Sequence, residues 1–591
     1  MPRRRKPISF DTTLRNPERI PQFISILSMF EGKLLDDKVA LDLEGEIIRH
    51  KIFEPTQSTL GTYIKHYTKK FSFDAEDQSS NAISKVSRLY QEWLDSSPCE
   101  MNLADIRYLL KNTITAHKER GWKGGWESRI HTQYNFLNEL GFVHVVKDET
   151  IKITETGHLM IKKYREGMPV KDEYDESFEQ SAFLMAFAKY QINNPYRANT
   201  INVNFFPLVL QVILYLDEKY NRPGISRQDL PFIIAWGNND YATLAEYIYK
   251  FRKKFKFNTS DDLVYTYAMN LLDDTTPNDV IAPASKEFID SKKKDYKFDK
   301  IMVETPDEVI RKLRLTMLIS LRGNGYFIDV NHNEIRKINY VIENYSTNKD
   351  FDDTDFEGYQ NWMGKIDESL MFVTEEQETE VQKDSKTKTI EDWAIKTDWE
   401  YIKNEMIYSV AHHGSSDMIL KYIKEPVRFE FLVAIAIKKA LPNIKIVANY
   451  KADDQGIPFN TANGSSKNSV GADIDVYENT THALLEPTIS TSRSFQVEHE
   501  LPSIHNHLLE TYSFDSVNSA GYNKWFALFI AHRFSRTIGS HISAIMHASN
   551  TNIYAWMIDD FIEFSKTVNS INDYCLIRDY AVPQQIPSSG D

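Results

Sequence analysis

Apolar residues recur at helical spacing through the first two-thirds of the chain and alternate at strand spacing in its last third. In residues 126–161, "WESRIHTQYNFLNELGFVHVVKDETIKITETGHLMI", Ile130, Tyr134, Leu137 and Leu140 fall on one helical face. Gly141 is placed to end that helix. "FVHVV" and "IKIT" alternate as strands around the polar turn "KDET", and "TETGHLMI" opens another helix. A helix followed at once by a small hairpin is the order of a winged helix, and its exposed face would offer Arg129, His131, Gln133 and Asn135 to base edges or phosphates. The same order describes a helix packed on a hairpin in any α+β domain.

Two further segments repeat the theme. Residues 206–256 predict an apolar helix, the turn "NRPGI", a helix opened by Ser226 with Asp229 three residues on, and a helix with a basic end, "FRKKFK". Residues 306–345 predict helix, Gly-Asn turn, strand and helix. Such units suit a multi-module DNA reader or a plain helical scaffold. The clusters "FRKKFK" and "SKKKDYK" read as solvated faces. The block 374–400 is acidic, polar and poor in apolar residues, which is linker composition. Beyond it, "EPVRFEFLVAIAIKKALPN" reads as a helix, followed by the strands "IKIVANY", "GADIDVY", "HALLEPTIS", "KWFALFIAHRF" and "IYAWMI", and by the helix "DDFIEFSKTV". That order describes an α/β unit around a mixed sheet.

Length and charge narrow the class. A chain of 591 residues suggests three or four domains. No apolar run approaches the ~20 residues of a membrane span, "MPRRRKPISF" lacks the apolar stretch of a secretory signal, and two cysteines build no disulfide framework. These features predict a soluble, cytoplasmic protein with no membrane partner. The net charge of −14 argues, taken alone, against a polyanion partner, but only local charge governs nucleic-acid binding. Residues 101–132 hold six cations, Arg107, Lys111, Lys118, Arg120, Lys123 and Arg129, against three acids.

Two predicted strands carry carboxylates. Strand alternation puts Asp473, Asp475 and Tyr477 on one face of "GADIDVY", and Leu484, Glu486 and Thr488 on one face of "HALLEPTIS". If the strands are neighbours, Asp473 and Glu486 converge, and converging carboxylates suit Mg²⁺. Otherwise both are acids at strand ends in solvent. "EHELPSIHNH" fails as a zincin motif because Ser503 stands where HExxH needs a histidine. His412 and His413, before "GSS", read as a solvated pair, and no Walker loop, Rossmann fingerprint or Gly-x-Ser-x-Gly elbow occurs.

With these residues in view, the chain resembles the AlwI family of type IIS restriction endonucleases, which includes strand-specific nicking enzymes. The likeness runs through "RNPERI" with "FEG", "GFVHVVKDETIKITETG", "PLVLQVILYL" with "ISRQDL" and "FRKK", and "RGNGYFIDVN", and it ends in the order "FEFL", "GADIDVY", "LLEPTIS", "VEHE", "WFALFIA". The family is similar in plan to FokI-type enzymes. The resemblance therefore implies a multidomain α+β protein, with helical winged-helix DNA-recognition modules followed by an α/β PD-(D/E)xK nuclease domain. On that plan, residues 1–175 form a recognition module with the winged helix, 176–300 a second module, 301–400 a third helical module with the acidic linker, and 401–591 the nuclease.

The resemblance also implies site residues. Asp473 matches the motif's aspartate and Glu486 its second acid, both as metal ligands. Glu430 in "RFEFL" matches the helical glutamate that supports the metal, and Glu498 in "QVEHE" a further downstream acid. Thr488 stands where the motif expects a lysine. Related family members lack this lysine and rely on another acid, so Glu498 is the expected substitute, with a one-residue gap placed just before it. Arg493 and Gln496 lie nearby. Arg107, Lys111, Lys118, Arg120, Lys123, Arg129, His131 and Gln133 are the expected DNA contacts. The expected activity is Mg²⁺-dependent hydrolysis of a phosphodiester a few base pairs from a short asymmetric duplex site. A single nuclease site cuts one strand, so cutting both requires a second copy in a transient homodimer or a small nuclease subunit. The rival readings are a winged-helix regulator with a decayed nuclease domain and a structure-specific PD-(D/E)xK repair nuclease.

Overall fold

The computed structural model describes residues 5–10, 17–53, 80–112, 122, 125–169, 176–199, 201–257, 259–273, 286–372, 379–462, 471–492 and 495–583. The chain divides into two compact units. The first comprises residues 1–316 and 336–372, the second 317–335 and 373–591. Among the described residues no helix is long and apolar enough to cross a membrane.

The first unit is mainly helical. Its helix Arg129–Glu139 buries Ile130, Tyr134 and Leu137, and the Tyr134 hydroxyl donates to the Phe23 carbonyl at 2.9 Å. Gly141 ends the helical segment at φ +72°, a conformation that favours glycine. A short antiparallel hairpin follows, with Val143 opposite Ile153 and His144 opposite Lys152. Asn138 ties helix to hairpin, donating to the Val145 carbonyl at 3.0 Å and accepting from its amide at 2.8 Å. Thr154 caps the next helix, Glu155–Met160. Further along, Phe205–Tyr220 and Tyr241–Phe255 are helices, and Ser226 and Asp229 form a reciprocal capping box. "FRKKFK" is not wholly a solvated face: Arg252 is buried and its Nε donates to Asp229 Oδ1 at 2.7 Å.

One buried carboxylate in this unit makes stability depend on pH. Glu44 lies fully inside the helical core, and burial pushes its pKa up to about 8, although a hydrogen bond from Gln133 and the charge of Arg129 oppose the rise. The folded state thus holds a proton that the unfolded state releases near pH 4.5. Stability falls as pH rises from about 4.5 to about 8 and is level above that. Glu44→Gln removes this dependence. The variant is expected to match the wild type at pH 5 and to exceed it by on the order of 3 kcal/mol at pH 7.5, read from paired urea unfolding curves. Equal stability gaps at the two pH values would exclude Glu44 as the titrating group.

The second unit begins with the hairpin of β1 (Ile319–Arg322) and β2 (Phe327–Val330). The apolar run before the Gly-Asn turn suggests only helix, but the preceding helix ends at Arg314, Met317 takes φ +60°, and the residues beyond pair as a strand. The helix Ile335–Tyr345 then returns the chain to the first unit. Residues 374–378 lie outside the described residues. The rest of the apparent linker is corrected by the structure: Glu380–Lys396 is a helix, α1, opened by a Thr379/Gln382 capping box. It buries Lys386, Ile390, Trp393 and Ala394, whose i, i+4, i+7, i+8 spacing makes one stripe. A stripe that narrow barely alters the composition of the segment.

Next come α2 (Trp399–Val410), α3 (Glu425–Ala440), β3 (Lys445–Ala448), β4 (Tyr450–Ala452), β5 (Pro458–Ala462), β6 (Ile474–Glu478) and β7 (Thr481–Thr488). They are followed by α4 (Leu501–Val517), β8 (Lys524–Ala531), α5 (Ile538–Ser549), β9 (Ile553–Met557) and α6 (Ile558–Ser565). The central sheet is mixed, in the order β9-β8-β7-β6-β3. β6 is antiparallel to both β7 and β3, while β8 is parallel to both β7 and β9. One face packs Ile474, Val476, Leu485 and Leu528 against α1, α2, α3 and α6. The other packs Ala472, Leu484, Ala527 and Phe529 against Leu501, Ile504 and Leu508 of α4 and Ile538 and Ile542 of α5. Helices on both faces explain why "WFALFIA" is apolar throughout rather than alternating.

Candidate active site

Strand register puts two acids together. Ile474 pairs with Leu485 across β6 and β7, so Asp473, one residue ahead of β6, stands opposite Glu486. Residues opposite each other on an antiparallel pair share a face, with Cβ atoms ~4.5–5.5 Å apart. Glu486 is 7% exposed and Asp473 is half-buried. Both lie on the α4 side of the sheet, in line with Leu484 and opposite the face of Ile474 and Leu485.

His507 of α4 completes the pair. Its Nδ1 is 2.8 Å from Glu486 Oε1. Burial works against a charged ring here, but the carboxylate of Glu486, helped by Asp473 and Glu510, more than reverses this and raises the pKa above the usual histidine value. Gly471 lets the ring in, because a Cβ there would stand 2.6 Å from His507 Cδ2. Ser503 Oγ lies 3.4 Å from the other ring nitrogen.

At the end of β7, Thr488 is buried and its hydroxyl donates to Glu500 Oε1 at 3.2 Å. Glu500 closes a five-residue π-turn, Gln496–Glu500, that leads into α4. Within that turn Glu498 is exposed, and the acid brought to Thr488 is Glu500. Gln496 is fully buried and structural, donating to the carbonyls of Ser490 at 2.8 Å and Arg533 at 2.7 Å. Arg493 lies outside the described residues. Glu430 is buried on α3, the helix that covers the opposite face of the sheet. Among the described residues no three His, Cys, Asp or Glu side chains are grouped to hold a metal, so Asp473, Glu486, Glu430 and Glu498 do not form a ready-made cage.

Glu500 and His507 escape a reading by motif, because testing "EHELPSIHNH" against HExxH asks only about i, i+4 spacing. Glu500, Ser503 and His507 recur at i, i+3, i+7, one face of a helix, beside the buried Ile504 and Leu508. That spacing was the available signal.

The basic residues of the first unit meet different fates. Lys111 is exposed at the end of the helix Leu103–Lys111, and Arg107 pairs with Asp42 at 2.7 Å. Lys118, Arg120 and Lys123 lie outside the described residues. Arg129 and His131 are half-buried, with the Arg129 guanidinium over the Phe53 ring at 5.7 Å. Gln133 corrects the expectation of an exposed helix face: it is fully buried and donates to Glu44 at 3.3 Å. His412 and His413 are exposed.

A mixed α+β protein of two units, with paired carboxylates on a mixed sheet, is the class defined thus far. The sequence profile of the AlwI restriction endonuclease family matches residues 138–367 and 361–544. The chain belongs to the AlwI restriction endonuclease family, whose members are DNA hydrolases. Among solved structures, FokI shares 12% identity over 95% of this chain and 96% of that one, with a TM-score of 0.24. FokI bound to DNA shares 10% over the same proportions, with a TM-score of 0.21. The small subunit R.BspD6I2 of the heterodimeric restriction endonuclease R.BspD6I shares 19% over 27% of this chain and 75% of that one, with a TM-score of 0.21. Comparison with curated protein sequences finds no match.

Proposed function

We propose that this restriction endonuclease is of type IIS, acting as a whole enzyme or as a large, nicking subunit. Winged-helix modules in the first unit read a short asymmetric duplex site. The second unit, a PD-(D/E)xK nuclease, hydrolyses a phosphodiester a few base pairs away. The observation that carries the reading is the pairing of Asp473 with Glu486 beside His507. Mg²⁺ fits this donor set, because it takes one or two carboxylates and completes its shell with water and substrate phosphate. Asp473 and Glu486 would hold it. Bound there, it would polarise the phosphodiester and lower the pKa of an attacking water.

The chain's own groups divide the remaining work. His507 fixes the rotamer of Glu486 through the Nδ1–Oε1 contact. Glu500, at the lysine position marked by Thr488, takes the proton of the attacking water on its carboxylate. In this role Glu500 replaces Glu498. Lys111 and its basic neighbours contact backbone phosphate. One site cuts one strand, and a second copy of the nuclease or a small nuclease subunit cuts the other.

The test is incubation with plasmid DNA and Mg²⁺, followed by sequencing of the ends, which reports site, offset and strand together. Binding without cleavage would support a decayed nuclease, and cutting set by DNA shape would support a repair enzyme. Within the site, Glu500→Ala is expected to slow single-turnover cleavage by roughly 100-fold, the upper range for one acid–base group being higher still. Glu498→Ala should stay within about threefold of wild type, as befits an exposed side chain. The opposite order would return the role to Glu498.

A further inference from the structure

Asp473 lies just outside the strand ladder that holds β6, yet its carboxylate must be placed to within a fraction of an ångström. The last paired residues of β6 and β3 are Ile474 and Ala448, and Asn449 is the next residue along β3. Its amide donates to the Asp473 carbonyl at 3.0 Å. Its side-chain Nδ2 donates to the Ala472 carbonyl at 2.8 Å and to Asp475 Oδ2 at 2.8 Å. One residue thus grips the peptide carbonyls on both sides of Asp473 and the side chain two residues on. The amide orientation is forced, since a flipped Asn449 would aim its oxygen at a carbonyl and a carboxylate.

Asn449 is itself held from two directions. Buried Lys386 of α1 donates to the carbonyls on either side of it, Ala448 at 2.6 Å and Tyr450 at 3.2 Å. On the other side, Asp475 is fixed by His482, whose Nε2 lies 2.9 Å from Asp475 Oδ1 and whose Nδ1 lies 2.6 Å from Asp515 Oδ2. Trp525 Nε1 donates to the same Asp515 oxygen at 2.8 Å.

We propose that Asn449 is the positioning residue for Asp473, seated by Lys386 and by the Asp515–His482–Asp475 relay, so that the aspartate meets the metal and the scissile phosphate in register. The proposal rests on the assignment of Asp473 to the site made above. Displacement of a reacting group by ~1 Å costs about 100-fold in rate.

The test uses the full-length chain, supercoiled plasmid and Mg²⁺. Asn449→Ala removes both Nδ2 bonds, and the isosteric Asn449→Asp turns a donor into an acceptor. Each is expected to slow single-turnover cleavage by roughly 10- to 100-fold. Each should also raise the Mg²⁺ concentration for half-maximal rate, while leaving plasmid binding in Ca²⁺ near wild type and the protein folded at the assay temperature. A rate within about twofold of wild type at limiting Mg²⁺ would overturn the proposal, that spread being within ordinary surface-mutant variation. So would a loss of folding or of plasmid binding in both variants, which would make Asn449 a framework residue only. Asp473→Ala run alongside separates the two levels. If it cuts normally, the site assignment fails. If it is inactive while both Asn449 variants cut normally, only this inference fails.

Discussion

Asp473→Ala and Glu486→Ala should each abolish plasmid cleavage, by about 1,000-fold or more, while DNA affinity stays within about threefold of wild type. Metal-borne charge stabilisation is worth several kcal/mol, and ~1.4 kcal/mol is tenfold in rate. Affinity should survive because the two residues sit in the second unit, on the α4 face of its sheet, whereas the basic segment around Lys111 belongs to the first. The expected result is a protein that still retards DNA in a gel with Ca²⁺ and leaves it uncut with Mg²⁺. Glu486→Ala also removes the partner of His507, so its histidine should titrate closer to the ordinary value by NMR, whereas wild type titrates above it. A variant that cuts at the wild-type rate would remove that carboxylate from the site.

The largest stability loss is expected at Asp229, far from chemistry in sequence and role. This carboxylate is fully buried in the first unit, accepting from Arg252 Nε at 2.7 Å and Arg222 at 2.5 Å, and from the Ser226 amide at 2.7 Å. Burial opposes its charge, but Arg222 and Arg252 outweigh burial and hold its pKa below the usual aspartate value. Asp229→Ala strands Arg252 inside the core, where its side chain is 3% exposed, and leaves Arg222 without this partner. Loss of one member of a buried pair costs about 3–5 kcal/mol. Chemical denaturation should show that loss at pH 7. Because the folded pKa is depressed, the stabilisation is present above about pH 4 and fades as pH falls through the folded value, so the gap between wild type and variant should narrow in acid. A gap unchanged at pH 3 would mean that the ionised carboxylate is not its source.

Much of this architecture was written in local pattern. The helix 129–139, the hairpin after Gly141 and the Ser226/Asp229 box follow from spacing and cap chemistry that act within a few residues. The facing of Asp473 and Glu486 follows from period-two alternation once β6 and β7 are neighbours. What pattern could not supply was long-range pairing. Gln133 looks like a helix-surface reader until the helix is seen to bury that side against Glu44. Lys386 looks like linker charge until it meets two carbonyls more than sixty residues away. Composition averages over a segment, whereas burial is decided by a few positions at one spacing.

The π-turn at Gln496–Glu500 has a consequence for comparing relatives. A turn closed by i→i+5 bonds holds one more residue than an α-turn, so everything after it is rotated by roughly 100° relative to an uninterrupted helix. The side chain that arrives beside β7 is therefore set by how many residues the turn contains, not by their order in the chain. Relatives that lack the extra residue should present an earlier acid at the same place in space. An alignment column there will scatter one chemical position over neighbouring sites, and superposition of helix faces is the comparison that keeps it together.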